Sequence, residues 1–273
     1  MKKVGLMLFA ISMLLFGACE KETNSFTMKY PIAGDYTKLD VHQAFDVVVC
    51  DTVTEAVVTT SERVQRYVVV KVEDGVLTIK LRPNLALRNR GGKVLLPRNA
   101  NLCEVDLSGA SSFTGDLKGD EVEIDLSGAS DFFGSLQGIT KVELDLSGAS
   151  NYVGAIQGSE VSLDLSGSSD IEGSIDADNI EVDAVGSSTV KVTGNCLNYL
   201  DLDLSGSSDF LAPEMECRNV QGEMSGSSDA EFQVCESLRV NLSGSSNIVY
   251  GIPVGCNPTV RCSTSGSSSV NTR

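Results

Sequence analysis

The sequence predicts an all-β chain wound into a parallel β-helix, a solenoid of about nine rungs of roughly 20 residues, behind an N-terminal β-rich cap. Three observations carry that reading. First, a Ser-Gly motif recurs at Ser108, Ser127, Ser147, Ser166, Ser205, Ser225, Ser243 and Ser265. A degenerate copy, Val185-Gly186-Ser187-Ser188, fills the remaining gap. Second, the residues before each motif alternate apolar and polar, as in Val122-Glu123-Ile124-Asp125-Leu126, which is the period of a half-buried strand. Third, no ten-residue stretch of the repeat shows helical periodicity, so crossover helices are excluded and successive strands must stack directly on one another.

Taken in order, the chain opens with a basic pair, Lys2 and Lys3, and an apolar run from Val4 to Phe16. That run is too short to span a bilayer as a helix and suits a secretory leader. Leu15-Phe16-Gly17-Ala18-Cys19 resembles the lipobox of bacterial lipoproteins. The resemblance implies a signal peptide over residues 1–18, lipidation of Cys19 and membrane attachment through two or more acyl chains. An ordinary leader cleaved ahead of an unmodified Cys19 is the alternative. Glu20-Lys21-Glu22 is similar to the charged stretch that sends some Bacteroidetes lipoproteins to the cell surface. The expected location is therefore the cell envelope, as an outer-membrane lipoprotein with its body in the periplasm or at the surface. Residues 19–30 read as a polar tether.

Residues 31–98 read as a cap of strands and hairpins. Tyr36–Val41, Phe45–Cys50, Ala56–Thr60, Tyr67–Glu73 and Val76–Leu81 are β-rich runs, and Asp74-Gly75 between the last two is a hairpin signal. Residues 82–92 are basic and read as a loop. The expected arrangement is a β layer covering the first rung, because solenoid ends need capping.

Residues 99–273 read as the β-helix. Glycine at a fixed place permits positive φ, and the Asp or Asn that follows tolerates a corner. A second apolar pair comes next, as in Phe113 and Leu117 or Phe132 and Leu136. Stacked rungs would put Leu107, Leu126, Leu146, Leu165, Leu204, Met224 and Leu242 in one interior column, about 4.8 Å apart.

Val94-Leu95-Leu96-Pro97, Leu102 and Val105-Asp106-Leu107-Ser108-Gly109-Ala110-Ser111 resemble the entry to the domain described as the putative auto-transporter adhesin, head GIN domain. The resemblance spans about residues 36–273 and implies a right-handed β-helix in secreted proteins and lipoproteins. It implies no catalytic residues. No set of membrane strands precedes Arg273, so anchoring is expected at Cys19.

Composition divides at the same boundary. Residues 1–100 hold 14 basic and 10 acidic groups, a balance of +4; residues 101–273 hold 7 and 27, a balance of −20. Such a block repels polyanions, which excludes nucleic acid as a partner. Much of the charge is one outward column, Asp106, Asp125, Asp145, Asp164, Asp183, Asp203 and Glu223, two residues before each motif serine. This column is a candidate cation or ligand face, because Ca²⁺ takes many carboxylate oxygens. The opposing reading is charge that blocks sheet-to-sheet association. It is favoured because the spacing is not that of Ca²⁺-binding β-rolls.

The serines Ser111, Ser130, Ser150, Ser169, Ser188, Ser208, Ser228, Ser246 and Ser268 form another column, expected to bond along the rod at the corners. A nucleophilic serine needs an adjacent base, and the single histidine, His42, lies outside the repeats and reads as an ordinary surface residue. Beyond Cys19, seven cysteines remain. Cys103 and Cys262 fall on interior columns. Cys196, Cys217, Cys235 and Cys256 nearly stack; buried free thiols acting as small hydrophobes are the favoured reading, and Cys217–Cys235 is the candidate disulfide. No CxxC spacing points to a metal, and no cofactor is implied.

The expected function is a non-enzymatic envelope lipoprotein, an adhesin or binding module whose repetitive face meets a glycan or a protein. Phe133, and Phe210 or Tyr250 in a distorted rung, are the candidate exposed aromatics. A polysaccharide-active β-helix enzyme is one alternative, which would require a broken rung gathering a base and basic residues. A structural component assembling end to end as a homo-oligomer is the other.

Overall fold

The computed structural model describes residues 25–82 and 91–273. The leader, Cys19 and most of the basic loop at 82–92 lie outside the described residues. The described chain is a parallel β-solenoid with antiparallel strands over its N-terminal end.

The cap strands are β1 (Ser25–Tyr30), β2 (Lys38–Val41), β3 (Ala44–Cys50), β4 (Ala56–Ser61), β5 (Val68–Glu73), β6 (Val76–Leu81) and β7 (Gly91–Pro97), with a short helix α1 (Glu62–Gln65) after β4. Asp74 (φ 49°) and Gly75 (φ 78°) form the β5–β6 turn, as their dipeptide signals. Residues 25–30, expected as tether, instead pair antiparallel with β4 from Ser25↔Ser61 to Tyr30↔Ala56. Phe26, Met28 and Tyr30 alternate there, a period-two signal inside an otherwise polar stretch.

The cap is more than a layer laid over the first rung. β2 pairs in parallel with β8 (Glu104–Leu107), and β3 pairs in parallel with β9 (Ser112–Thr114). On their other side β2 and β3 pair in parallel with β6 and β7. Two layers of the cap thus continue the solenoid, out of chain order. The rung grammar is present but disguised: Asp40-Val41-His42-Gln43-Ala44 stands above Asp106-Leu107-Ser108-Gly109-Ala110, with Gln43 (φ 72°) where the repeat has glycine. β1, β4 and β5 then run antiparallel and close this end.

The following rungs comprise β10 (Glu121–Leu126), β11 (Asp131–Phe133), β12 (Leu136–Leu146), β13 (Asn151–Gly167), β14 (Asp170–Gly186), β15 (Thr189–Gly206), β16 (Asp209–Met224), β17 (Asp229–Leu242), β18 (Asn247–Gly251), β19 (Thr259–Thr264) and β20 (Ser269–Thr272). Register is kept column by column: Asp106, Asp125, Asp145, Asp164, Asp183, Asp203 and Glu223 are successive partners. The expected leucine column is buried throughout, with Ala184 filling the degenerate copy. A second column stacks Phe113 on Phe132 and Phe132 on Tyr152, ring centroids 5.0 and 5.4 Å apart. The Tyr152 hydroxyl donates to the Gly134 carbonyl at 3.0 Å, which satisfies its buried oxygen.

The corners explain the serine and glycine excess. Gly128 sits at φ 80°, and a Cβ there would stand 2.5 Å from the Gly109 carbonyl oxygen, so both the backbone angle and the stacking distance demand glycine. The buried serine column bonds differently from the expectation. Ser130 donates to the Ser127 carbonyl at 2.8 Å, and Ser150, Ser169, Ser208 and Ser228 repeat that bond, so these hydroxyls close their own corners, whereas Ser111 also reaches the neighbouring layer at the Gln43 carbonyl, 2.6 Å away. The geometric cause is the tight turn, which brings the carbonyl three residues back within reach of the hydroxyl.

The candidate bridge between Cys217 and Cys235 is not the one formed: Cys235 bonds Cys256, 21 residues on. A register shift after Leu211 places Val234, not Cys235, opposite Cys217. Cys217 instead stands in register with Cys196, and both thiols are buried and free. Cys262 is exposed in β19 although its partner Val240 is buried, and Cys103 packs at the core margin.

Candidate functional site

The rod is regular enough that its interruptions are informative. Between β14 and β15 the register slips: Ala177 pairs with Cys196 and Asn179 with Tyr199, so Leu197 and Asn198 oppose the single residue Asp178. Toward β16 the same two residues oppose Arg218 alone, since Cys196 pairs with Cys217 and Tyr199 with Asn219. This is a bulge of one extra residue, and bulges re-aim side chains at sheet edges and sites. Here the bulge pushes apolar groups into solvent, with Leu197 60% and Tyr199 56% exposed. The Asn219 amide donates to the Asn198 carbonyl at 3.1 Å, and Ser237 donates to Asn219 Oδ1 at 2.7 Å, which fixes the bulged backbone.

Two grooves meet at this corner. One, of about 410 Å³, runs across the rungs past Lys141, Glu160, Asn179, Glu181, Tyr199 and Gln221. The other, of about 290 Å³, lies around the corner between Gln157, Asp176, Asn195 and Leu197. In the first groove the Tyr199 ring sits between Asn179 and Asn219 in the rungs before and after. The Gln221 amide donates to Asp201 Oδ2 at 2.7 Å, which orients that carboxylate. An aromatic face flanked by amides and carboxylates is suited to a flat, hydroxyl-rich ligand: the ring takes the ligand's apolar face and the polar groups take its hydroxyls.

A third groove, of about 500 Å³, follows the acidic column past Asp183, Asp203, Glu223 and Ser225. Its lining has no aromatic. Burial, reinforced by the neighbouring carboxylates, pushes Asp125 up to about 6, and burial likewise raises Asp106, Asp164 and Asp203. The ladder is thus electrostatically strained. Among the described residues no group of three or more His, Cys, Asp or Glu side chains could hold a metal ion. Mutually repelling carboxylates of this kind oppose the approach of a second acidic sheet.

Of the aromatics expected outside, Phe133 is exposed, whereas Phe210 and Tyr250 are buried. They are buried because their rungs stay in register there: Phe210 stacks between Val190 and Ala230, and Tyr250 follows Phe232. Sequence reasoning passed over Tyr199. Its signal was the 20-residue spacing from Val185-Gly186 to Ser205-Gly206, together with an apolar residue, Leu197, off the period.

The comparisons with known proteins agree with this architecture. Residues 35–158 and 136–252 match the family described as putative auto-transporter adhesin, head GIN domain. The chain belongs to that family. Its members' architecture is shared by a crystal structure from Parabacteroides distasonis described as a putative lipid binding protein, 21% identical, covering 92% of this chain and 97% of that one at a TM-score of 0.63. A putative adhesin from Parabacteroides merdae is 19% identical over 91% of this chain and 96% of its own, with a TM-score of 0.57. A second Parabacteroides distasonis protein, also described as a putative adhesin, is 21% identical over 92% and 98% at 0.53. At these identities the likeness concerns the fold. No curated protein matches the chain.

Proposed function

We propose that this adhesin-family solenoid is an envelope lipoprotein whose main role is binding, and that it holds an extended glycan at the bulged corner around Leu197 and Tyr199. The observation that carries the reading is the coincidence, at one of the rod's register slips, of two exposed apolar side chains and two neighbouring grooves. The ligand is expected to be neutral or cationic, because Glu160, Glu181 and Asp201 face it and would repel an acidic polymer. The family's description as an adhesin head supports a binding role over catalysis. Attachment through a lipidated Cys19 would leave the rod free to present this corner outward.

A glycan array on the mature protein, followed by calorimetry with the best ligand, tests the site. Tyr199→Ala is expected to weaken binding at least tenfold while leaving the melting temperature within a few degrees. Equal binding by wild type and variant would place the ligand elsewhere, and an array without hits would remove the glycan reading. Palmitate labelling tests the anchor independently: label should appear on the wild type and vanish in Cys19→Ser.

A further inference from the structure

At the junction between cap and repeat the fold assembles a group that the chain order conceals. His42 follows β2 and occupies the place that the repeat gives to its first serine, directly over Ser108. Its Nδ1 lies 2.6 Å from Ser108 Oγ. Its Nε2 lies 2.9 Å from Asp40 Oδ1, within ion-pair distance. That carboxylate oxygen is buried and has no aligned hydrogen-bond donor among the described residues, so the imidazole is the group placed to serve it. With the proton on Nε2, the nitrogen that faces Asp40, Nδ1 is an acceptor for the Ser108 hydroxyl.

Other first serines differ. Ser127, Ser147, Ser243 and Ser265 stand near backbone carbonyls of the preceding rung, at 3.4 to 3.5 Å, and donate to them. A carbonyl cannot take the hydroxyl proton, whereas an imidazole can. Ser108 is therefore set apart from its own column. It is also reachable: Ser108 is half-exposed, and His42 keeps 35% of its side chain open.

We propose that Ser108 is a nucleophile activated by His42, with Asp40 as the positioning residue, and that it accepts acyl groups from small esters. In the step, Ser108 Oγ attacks the ester carbonyl carbon while its proton passes to His42 Nδ1. The bond to the alcohol oxygen then breaks, and His42 returns the proton to that oxygen, which leaves an acylated Ser108 and free alcohol. Asp40 on β2 and Asp106 on β8 are the charged groups nearest the imidazole, Lys38 and Glu104 pair with each other two residues further back on those strands, and Lys80 lies on the adjacent β6. Three of these five are carboxylates, so the substrate is an uncharged or cationic ester.

The test is p-nitrophenyl acetate applied to the intact mature protein, with acetylated peptides quantified by mass spectrometry. Ser108 should label at least tenfold faster than Ser127, the same position one rung on, within the same wild-type molecule. His42→Gln should reduce Ser108 to the Ser127 rate. Asp40→Asn should slow the reaction several-fold and change its pH profile. Ser108 labelling no faster than Ser127 in the wild type would overturn the proposal, whatever the variants do. Unchanged labelling in a folded His42→Gln would do the same.

Discussion

At the residue scale, the corners and the acidic column make opposite contributions. The Ser130 hydroxyl is fully buried and its one bond goes to the Ser127 carbonyl. Ser130→Ala is expected to lower stability by about 1 kcal/mol, measured by urea unfolding. Gly128→Ala should cost at least about 2 kcal/mol, because it meets both a positive φ and a carbonyl oxygen at 2.5 Å. Asp125 acts the other way. Its folded pKa of about 6 lies above the unfolded value, so the native state binds the proton more tightly. Stability should therefore rise as pH falls from 7 toward 4, the window between the two values, and be lost again as pH rises through 6. Asp125→Asn should raise stability at pH 7 by about 1 kcal/mol after allowance for solvent screening, and should flatten that pH dependence. A variant as pH-dependent as the wild type would show that the column does not titrate in this way.

At the element scale, what the sequence made legible was whatever repeated. The Ser-Gly spacing and the Val-x-Leu-x-Leu alternation were enough to place the rungs, their interior column and their outward carboxylates, because a stacked strand inherits its register from the strand beneath. Departures from the repeat were not legible. The β2 rung was missed since Gln43 replaces glycine, His42 replaces serine and some 60 residues intervene before its neighbour Ser108. Residues 25–30 read as tether because a six-residue strand among polar neighbours carries little signal. The disulfide was misassigned by one position, since counting back from each motif cannot see the slip after Leu211. Cys235–Cys256 ties β17 to the connection between β18 and β19, and its removal is expected to cost about 3 kcal/mol for a loop of about 20 residues. Alkylation before and after reduction checks the pairing: Cys235 and Cys256 should label only after reduction.

At the scale of the whole molecule, a capped rod of stacked rungs explains the lopsided charge, and the exposed apolar bulge at Leu197 is where the proposed function is placed. The break near residue 100 marks the return from out-of-order rungs to sequential ones, and the −20 of the second part is mainly the outward half of a strand repeated many times. In the proposed reading the regular rungs are a scaffold and the ligand sits at the Leu197 bulge. Hydrogen–deuterium exchange with a bound glycan tests that claim most directly. The account predicts added protection confined to residues 141–143, 157–162, 176–181, 195–201 and 221, which line the grooves at the bulged corner. Protection spread evenly along the acidic column, or centred on the cap, would contradict it.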